Sequence, residues 1–273
     1  MRRMQFKREA DMLAPISNHA SRLLPGRNIE TLFEVQTSAG IPDIVLVEFN
    51  KSILEERRKY PSSFIIDLAD MSVLNAISAM KAETVTAAAL AEKVPFSSKY
   101  IGARIMPRLM ECGYVQKVSR GRWQIVNCYV STAKYISTLE VKINDWRSGY
   151  SQTLRHRASA DESWLVMDST HSSQASAHRE WFERAGIGLA TLHPRDGINH
   201  IVTPRTKKTK RNFDIYRELL AERAAHLYCN GKVSGTIGLV FGVDLTTTTG
   251  PDPRRSDASE RHRGQGVVHS TTV

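Results

Sequence analysis

Apolar positions recur at helical spacing across residues 5–24, where Phe6, Ala10, Leu13, Ile16 and Ala20 share one face until Pro25-Gly26 breaks the run. A first helix is predicted there. Two stretches rich in Val, Ile, Leu and Phe follow, residues 31–36 and 41–49, with a turn at Thr37-Ser38-Ala39-Gly40 between them, so two strands are expected. From about residue 54 to 126 the character changes. Charged residues 55–59 lead into helical patterns over 72–80, 85–94 and 98–111, and Gly113 closes the last as a C-terminal glycine does. Beyond this block the pattern predicts a strand hairpin over 129–143, a helix over 145–160, a strand over 163–167 and a helix over 177–185. Short strands at 189–192 and 200–202 and a final helix over 213–228 complete the series. Helix and strand alternate, which defines an α/β layer. The chain from about Thr246 has no apolar period and reads as disordered. The division expected is a core in two parts, residues 1–50 and 129–230, an inserted module at 51–128, and a flexible tail at 231–273 in which the glycines from Gly231 to Gly242 mark a linker.

Charge sharpens this picture. Lys plus Arg total 38 against 28 Asp plus Glu in 273 residues, a formal charge of +10. Such an excess favours a polyanionic partner, because basic side chains release counterions from phosphates; nucleic acid fits, as do a generally basic surface and an acidic membrane contact. The most apolar late stretch, residues 236–243, is too short to span a bilayer, and the basic start lacks the apolar run of a secretion signal. Cys112, Cys128 and Cys229 lie far apart with no C-x-x-C pair, which suggests neither a zinc site nor a disulfide framework. A cytoplasmic setting without a membrane partner is expected.

The chemistry concentrates in two short motifs. Asp43 stands in Gly40-Ile41-Pro42-Asp43 at the start of a predicted strand, and Glu140-Val141-Lys142 occupies a later one. Alternation along a strand projects Glu140 and Lys142 from one face. With Asp43 on an adjacent strand, the two carboxylates can hold a hard divalent cation such as Mg²⁺ or Mn²⁺, and the Val141 carbonyl can supply another oxygen. A cation there suits phosphodiester hydrolysis, with Lys142 orienting water or stabilising the developing negative charge. Glu9 on the first helix is a candidate further carboxylate acting through water, and Gln152 on the helix after Lys142 a candidate for positioning substrate or water. The bland alternative makes Glu140 and Lys142 surface strand residues and Asp43 a turn residue.

These residues resemble the PD-(D/E)xK nuclease superfamily, over residues 5–49 and 129 to about 204. The resemblance implies a restriction-endonuclease-like mixed sheet flanked by helices: a helix, a strand carrying Asp, a strand carrying Glu-x-Lys, and a helix packed behind. One branch carries Gln-x-x-x-Tyr on that later helix; here the stretch is Gln152-Thr153-Leu154-Arg155-His156, with His156 where tyrosine is expected. Ala185-Gly186-Ile187-Gly188-Leu189 is similar to the glycine-bearing approach to a late strand in many members.

Within the insertion, the helix-turn-helix pattern turns at Pro95-Phe96, with Ser97 as N-cap of the second helix. Ile101, Ile105 and Leu109 make an apolar stripe at i, i+4 and i+8. Tyr100, Arg104 and Arg108 repeat on the other side at the same spacing, and with Ser98 and Lys99 they are candidate contacts for phosphates and base edges. A hairpin over 114–126, tipped by Ser119-Arg120-Gly121 and carrying Lys117, Arg120 and Arg122, resembles the wing of winged-helix domains. Pro107 predicts a kink or an early end to the second helix.

The expected activity is therefore a metal-dependent DNA endonuclease, with the winged helix placing duplex DNA beside Asp43, Glu140 and Lys142. Two alternatives stay open: a non-catalytic DNA-binding regulator whose nuclease-like layer serves folding or homodimer formation, and a nuclease acting on RNA or branched DNA. The chain holds no Gly-x-Ser-x-Gly or His-Glu-x-x-His, and Gly231-Lys232-Val233 lacks the Ser or Thr of a phosphate loop.

Overall fold

The computed structural model describes residues 6–60, 62, 64–80, 82–207, 213–235, 239–240 and 243–244. Helices α1 (Ala10–Asn18) and α2 (Ala20–Leu23) lead into strands β1 (Glu30–Phe33) and β2 (Ile44–Phe49), then α3 (Lys51–Arg57). The inserted block holds α4 (Leu68–Met80), β3 (Thr84–Thr86), α5 (Ala87–Ala91), α6 (Ser98–Tyr100), a π-helical segment at Ile101–Ile105, α7 (Met106–Glu111), β4 (Val115–Ser119) and β5 (Arg122–Ile125). The chain then returns through β6 (Ala133–Lys142), α8 (Trp146–His156), a 3₁₀ turn at Arg157–Ser159, β7 (Glu162–Asp168), α9 (Ser173–Ala177), α10 (Arg179–Ala185), β8 (Gly188–His193), β9 (Gly197–Val202) and α11 (Ile215–Cys229). Two-residue strands β10 (Leu239–Val240) and β11 (Val243–Asp244) pair with each other.

Six strands form one mixed sheet in the order β1-β2-β6-β7-β8-β9. Only the β6–β7 and β7–β8 neighbours are parallel; the other pairs are antiparallel. Alternation sorts the two faces. Ile44, Leu46, Leu139, Val141, Trp164 and Val166 pack with Met12, Leu13 and Ile16 of α1. Their alternates Val45, Val47 and Ile136 pack with Leu220, Ala221, Ala224 and Ala225 of α11, while Leu165, Met167 and Leu189 pack with Trp146 of α8 and Phe182 of α10. Helices therefore cover both faces, and each fully buried Leu or Phe contributes about 1.5–3 kcal/mol. No helix of the described residues is long and apolar enough to cross a membrane.

The inserted block builds its own core around Met71, Leu74, Ile77, Leu90, Ile101, Ile105, Leu109 and Trp123, beside a three-stranded sheet ordered β3-β5-β4. It does not close this core alone. Leu219 of α11 is buried in it, and Phe213 and Ile215 pack against it. A buried ionic network fastens the same helix to both units. Arg217 forms a double hydrogen bond with Asp161 at 2.8 and 3.0 Å, and Glu222 meets Arg57 at 3.1 Å while accepting from the Ile65 amide at 3.0 Å.

The structure corrects several expectations. The first helix is two, joined through His19, whose amide bonds back to the Pro15 and Ile16 carbonyls. Residues 129–143 hold no hairpin but one ten-residue strand, β6, paired with β2 on one side and β7 on the other. Val85 belongs to a strand, and the helix that follows starts only at Ala87, capped by the Thr86 hydroxyl. The helical path does not end at Pro107. The π-helical segment precedes it, and Pro107 falls in the first turn of α7, where its missing N–H costs little. The segment expected to begin a flexible tail starts instead on the sheet edge: Phe33 donates to the Val233 carbonyl at 2.8 Å and accepts from Gly235 at 2.9 Å. Residues 245–273 lie outside the described residues.

Candidate active site and the basic face of the insertion

Strand register decides the geometry. Ile44 lies across from Leu139, so Asp43, one residue earlier, stands opposite Glu140. Its carboxylate Oδ2 accepts from the Val141 amide at 2.7 Å, which fixes the approach of the Gly40-Ile41-Pro42-Asp43 segment to β6. Glu140 and Lys142 share the face of β6 that carries Ile136, and Lys142 Nζ donates to Glu140 Oε1 at 2.8 Å. Glu9, at the N-terminal boundary of α1, comes from the opposite layer over the strand end. Its Oε1 accepts from the Ile143 amide at 3.4 Å and its Oε2 lies 3.6 Å from Lys142 Nζ.

Helix α8 closes this site from the sheet side. Asp145 caps it, accepting from the Ser148 amide at 3.1 Å, and Trp146, Gly149, Thr153 and His156 form its buried stripe. A Cβ on Gly149 would sit 2.5 Å from Leu165 Cδ1 and 2.8 Å from Lys142 Cγ, so glycine is what lets α8 lie against β6 and β7. One turn further on, Gln152 accepts from the Ser148 hydroxyl at 3.3 Å; its hydrogen bonding is to its own helix and not to the carboxylates. Two turns on, His156 Nδ1 faces Glu140 Oε2 at 3.6 Å.

Charge and burial work against each other here. Burial, then the charge of Glu140, pushes the Asp43 carboxyl up to about 7, although the Val141 amide and Lys142 oppose the rise. Glu140 is raised too, chiefly by burial and against the hydrogen bond from Lys142. Burial depresses the Lys142 ammonium, but Glu140, Asp43 and Glu9 outweigh it and the net shift is upward. Burial, with the positive charges of Arg155 and Lys142, brings His156 down to about 4. Two crowded carboxylates and a firmly protonated lysine result.

Asp43, Glu140, Lys142 and Glu9 are thus brought together, with Val141 between them. Among the described residues no three His, Cys, Asp or Glu side chains are grouped so as to hold a metal ion by themselves. Sequence reasoning passed over Gly149 and the contact of His156 with Glu140. The helical spacing of both to Trp146 and Thr153 was the available signal.

In the insertion, Ser97 caps the second helix by accepting from the Tyr100 amide at 3.2 Å. Ser98, Lys99, Tyr100 and Arg104 are exposed on it, as are Lys117, Arg120 and Arg122 on and between β4 and β5. The Tyr100 ring lies 5.9 Å from Phe96. None of Lys99, Arg104, Lys117, Arg120 or Arg122 forms an ion pair among the described residues. Arg108 differs from these in having a partner: it makes a double hydrogen bond with Asp70 of α4 at 2.7 and 2.5 Å while its side chain stays 40% exposed. Outside the insertion, basic residues also cluster between Arg205 and Arg211; Arg205 donates to the Glu183 and Arg184 carbonyls and Lys207 pairs with Asp214, while Lys208, Lys210 and Arg211 lie outside the described residues.

No protein-family model matches the chain, and searches of curated proteins and of solved structures find no match either.

Proposed function

We propose that the protein is a divalent-metal-dependent endonuclease of duplex DNA, with a restriction-endonuclease-like core and a winged-helix insertion that holds the substrate. The observation that carries this reading is the placement of Asp43 directly across from Glu140, with Lys142 two residues along the same strand face. The donor set fits Mg²⁺ or Mn²⁺. Mg²⁺ is ordinarily held by one or two carboxylates with several waters retained, and two buried carboxylates that repel each other are what such a charge would relieve. Asp43 and Glu140, with the Val141 carbonyl, are the oxygen donors that would hold it. When bound, the cation polarises the scissile phosphate and makes water a better nucleophile at neutral pH.

The remaining groups have distinct parts in this reading. Lys142 keeps its proton, so it acts as a cation and hydrogen-bond donor toward a pentavalent phosphate and not as the base. Glu9 steadies that ammonium from the α1 side. The element order helix, strand, helix, helix, strand, strand in the insertion, with Trp123 and Ile101 in its core, supports a winged helix. Its exposed Lys99, Arg104, Lys117, Arg120 and Arg122 supply phosphate contacts.

The competing reading is a DNA-binding protein without catalysis, favoured by the want of a third metal-binding side chain in the described cluster. Incubating supercoiled plasmid, branched DNA and RNA with the protein in Mg²⁺ or Mn²⁺ separates the two. Nicking or linearisation that disappears in Asp43→Ala and Lys142→Ala is expected. Tight DNA binding with no cleavage of any substrate would install the regulator instead.

A further inference from the structure

Glu140 is held unevenly. Its Oε1 accepts from Lys142 at 2.8 Å, but its buried Oε2 has no hydrogen-bond partner among the described residues. The buried Nδ1 of His156 also lacks one, and the two atoms face each other at 3.6 Å. A buried donor and a buried acceptor left apart are each costly, and closing them to an ordinary hydrogen bond takes a movement of under about 1 Å. The other side of the imidazole cannot recede freely. Nε2 is backed by Gly40, where an added Cβ would lie 3.0 Å away. Gly40 in turn is locked to Thr37, whose amide and hydroxyl both donate to the Gly40 carbonyl at 2.8 Å. His156 therefore stands between the loop that delivers Asp43 and the carboxylate of Glu140.

We infer that His156 is a positioning residue for the candidate metal site: its Nδ1–H donates to Glu140 Oε2 and, with Lys142 on the other oxygen, fixes the carboxylate that receives the cation. This rests on the metal-dependent reading above. A role in space-filling alone predicts something different, because a phenyl ring fills the same volume and carries no donor. An amide at this position keeps a donor while changing the shape.

The test is Mn²⁺ binding to the full-length protein, followed by the electron paramagnetic resonance of free Mn²⁺, for the parent, His156→Phe and His156→Gln. Unfolding temperatures in EDTA are measured alongside. Loss of a hydrogen-bonded partner behind a metal ligand typically weakens metal binding about 10–100-fold. That loss is expected in His156→Phe with the EDTA unfolding temperature retained, and substantial recovery is expected in His156→Gln. Mn²⁺ affinity in His156→Phe within about twofold of the parent would overturn the inference while leaving the nuclease reading intact. A parent that takes up no Mn²⁺ would overturn both. Should His156→Phe not fold, ¹⁵N spectra of the parent's imidazoles decide: a proton on Nδ1 whose resonance moves with Mg²⁺ supports the inference, and a proton resident on Nε2 with and without Mg²⁺ refutes it.

Discussion

Replacing Asp43 with Asn removes one of two crowded carboxylates and keeps an oxygen for the Val141 amide. In the cation-free protein the Asp43 carboxyl is pushed from 3.8 up to about 7, first by burial and then by Glu140. A carboxyl whose value is raised by folding favours the folded state in its protonated form. The fold is therefore most stable below the ordinary value, and it loses stability as the pH rises toward and through about 7. A three-unit shift corresponds to about 4 kcal/mol once both states are ionised. Asp43 keeps some solvent contact, so about 2–4 kcal/mol is the working range. Between pH 5 and pH 8 the loss is about 2–3 kcal/mol, or roughly 5–10 °C in unfolding temperature for a chain of this size. In EDTA the parent is expected to melt progressively lower across this interval. Asp43→Asn keeps the raised Glu140 carboxyl, so it is expected to fall less steeply than the parent over the same interval and to exceed the parent at pH 8. Mg²⁺ or Mn²⁺ should restore the parent at pH 8 and leave the variant unchanged. Parallel pH curves for the two proteins in EDTA would refute the reasoning, because they would mean that Asp43 ionises in the fold as it does in the unfolded chain.

Arg104→Ala combined with Arg120→Ala should shallow the salt dependence of DNA binding by about one unit per arginine, read by fluorescence anisotropy at several salt concentrations. Arg108→Ala should leave that slope alone and cost about 1–3 kcal/mol in urea unfolding, because it strands the buried carboxylate of Asp70. Gly149→Ala gains about 1 kcal/mol of helix propensity but drives a Cβ into Leu165 and the Lys142 stem, at about 1–3 kcal/mol. A net loss of stability with a larger proportional loss of plasmid nicking is expected, since Lys142 must shift. Arg217→Met leaves Asp161 and Glu218 uncompensated and should cost about 3–5 kcal/mol, measured by denaturant unfolding.

The candidate site was legible where chemistry and strand period coincide. Glu140 and Lys142 fall on a strand whose alternation sends them to one face, Asp43 directly precedes the neighbouring strand, and the register completes what spacing suggested. β6 was misread because helices cover both sides of the sheet. Its residues from Ala133 to Val141 are buried on nearly every position, which hides the alternation that would have marked a single strand. The pairing of Arg108 with Asp70 was hidden for a different reason. A constant helical period places it beside Tyr100 and Arg104, but the π turn at Ile101–Ile105 changes the angular step and delivers its guanidinium to Asp70. The helical spacing of Gly149 and His156 to Trp146 and Thr153 marks them as part of one buried stripe, but their partners, Leu165 and Glu140 respectively, are set by the fold alone.

The place of α11 in two cores at once has a bearing on how the molecule comes into being. On the ribosome, the inserted block emerges well before residues 213–225, yet it needs Phe213, Ile215 and Leu219 to seal its apolar interior. Asp43 and the Val141 amide that it binds are 98 residues apart, and the strands that bring them together pack against α11, which follows both in the chain. Assembly of the acidic cluster thus depends on long-range contacts, whose loop-closure entropy must be met before they form. A chain truncated before α11 would present the motif in its primary sequence without the means to bring its parts into register.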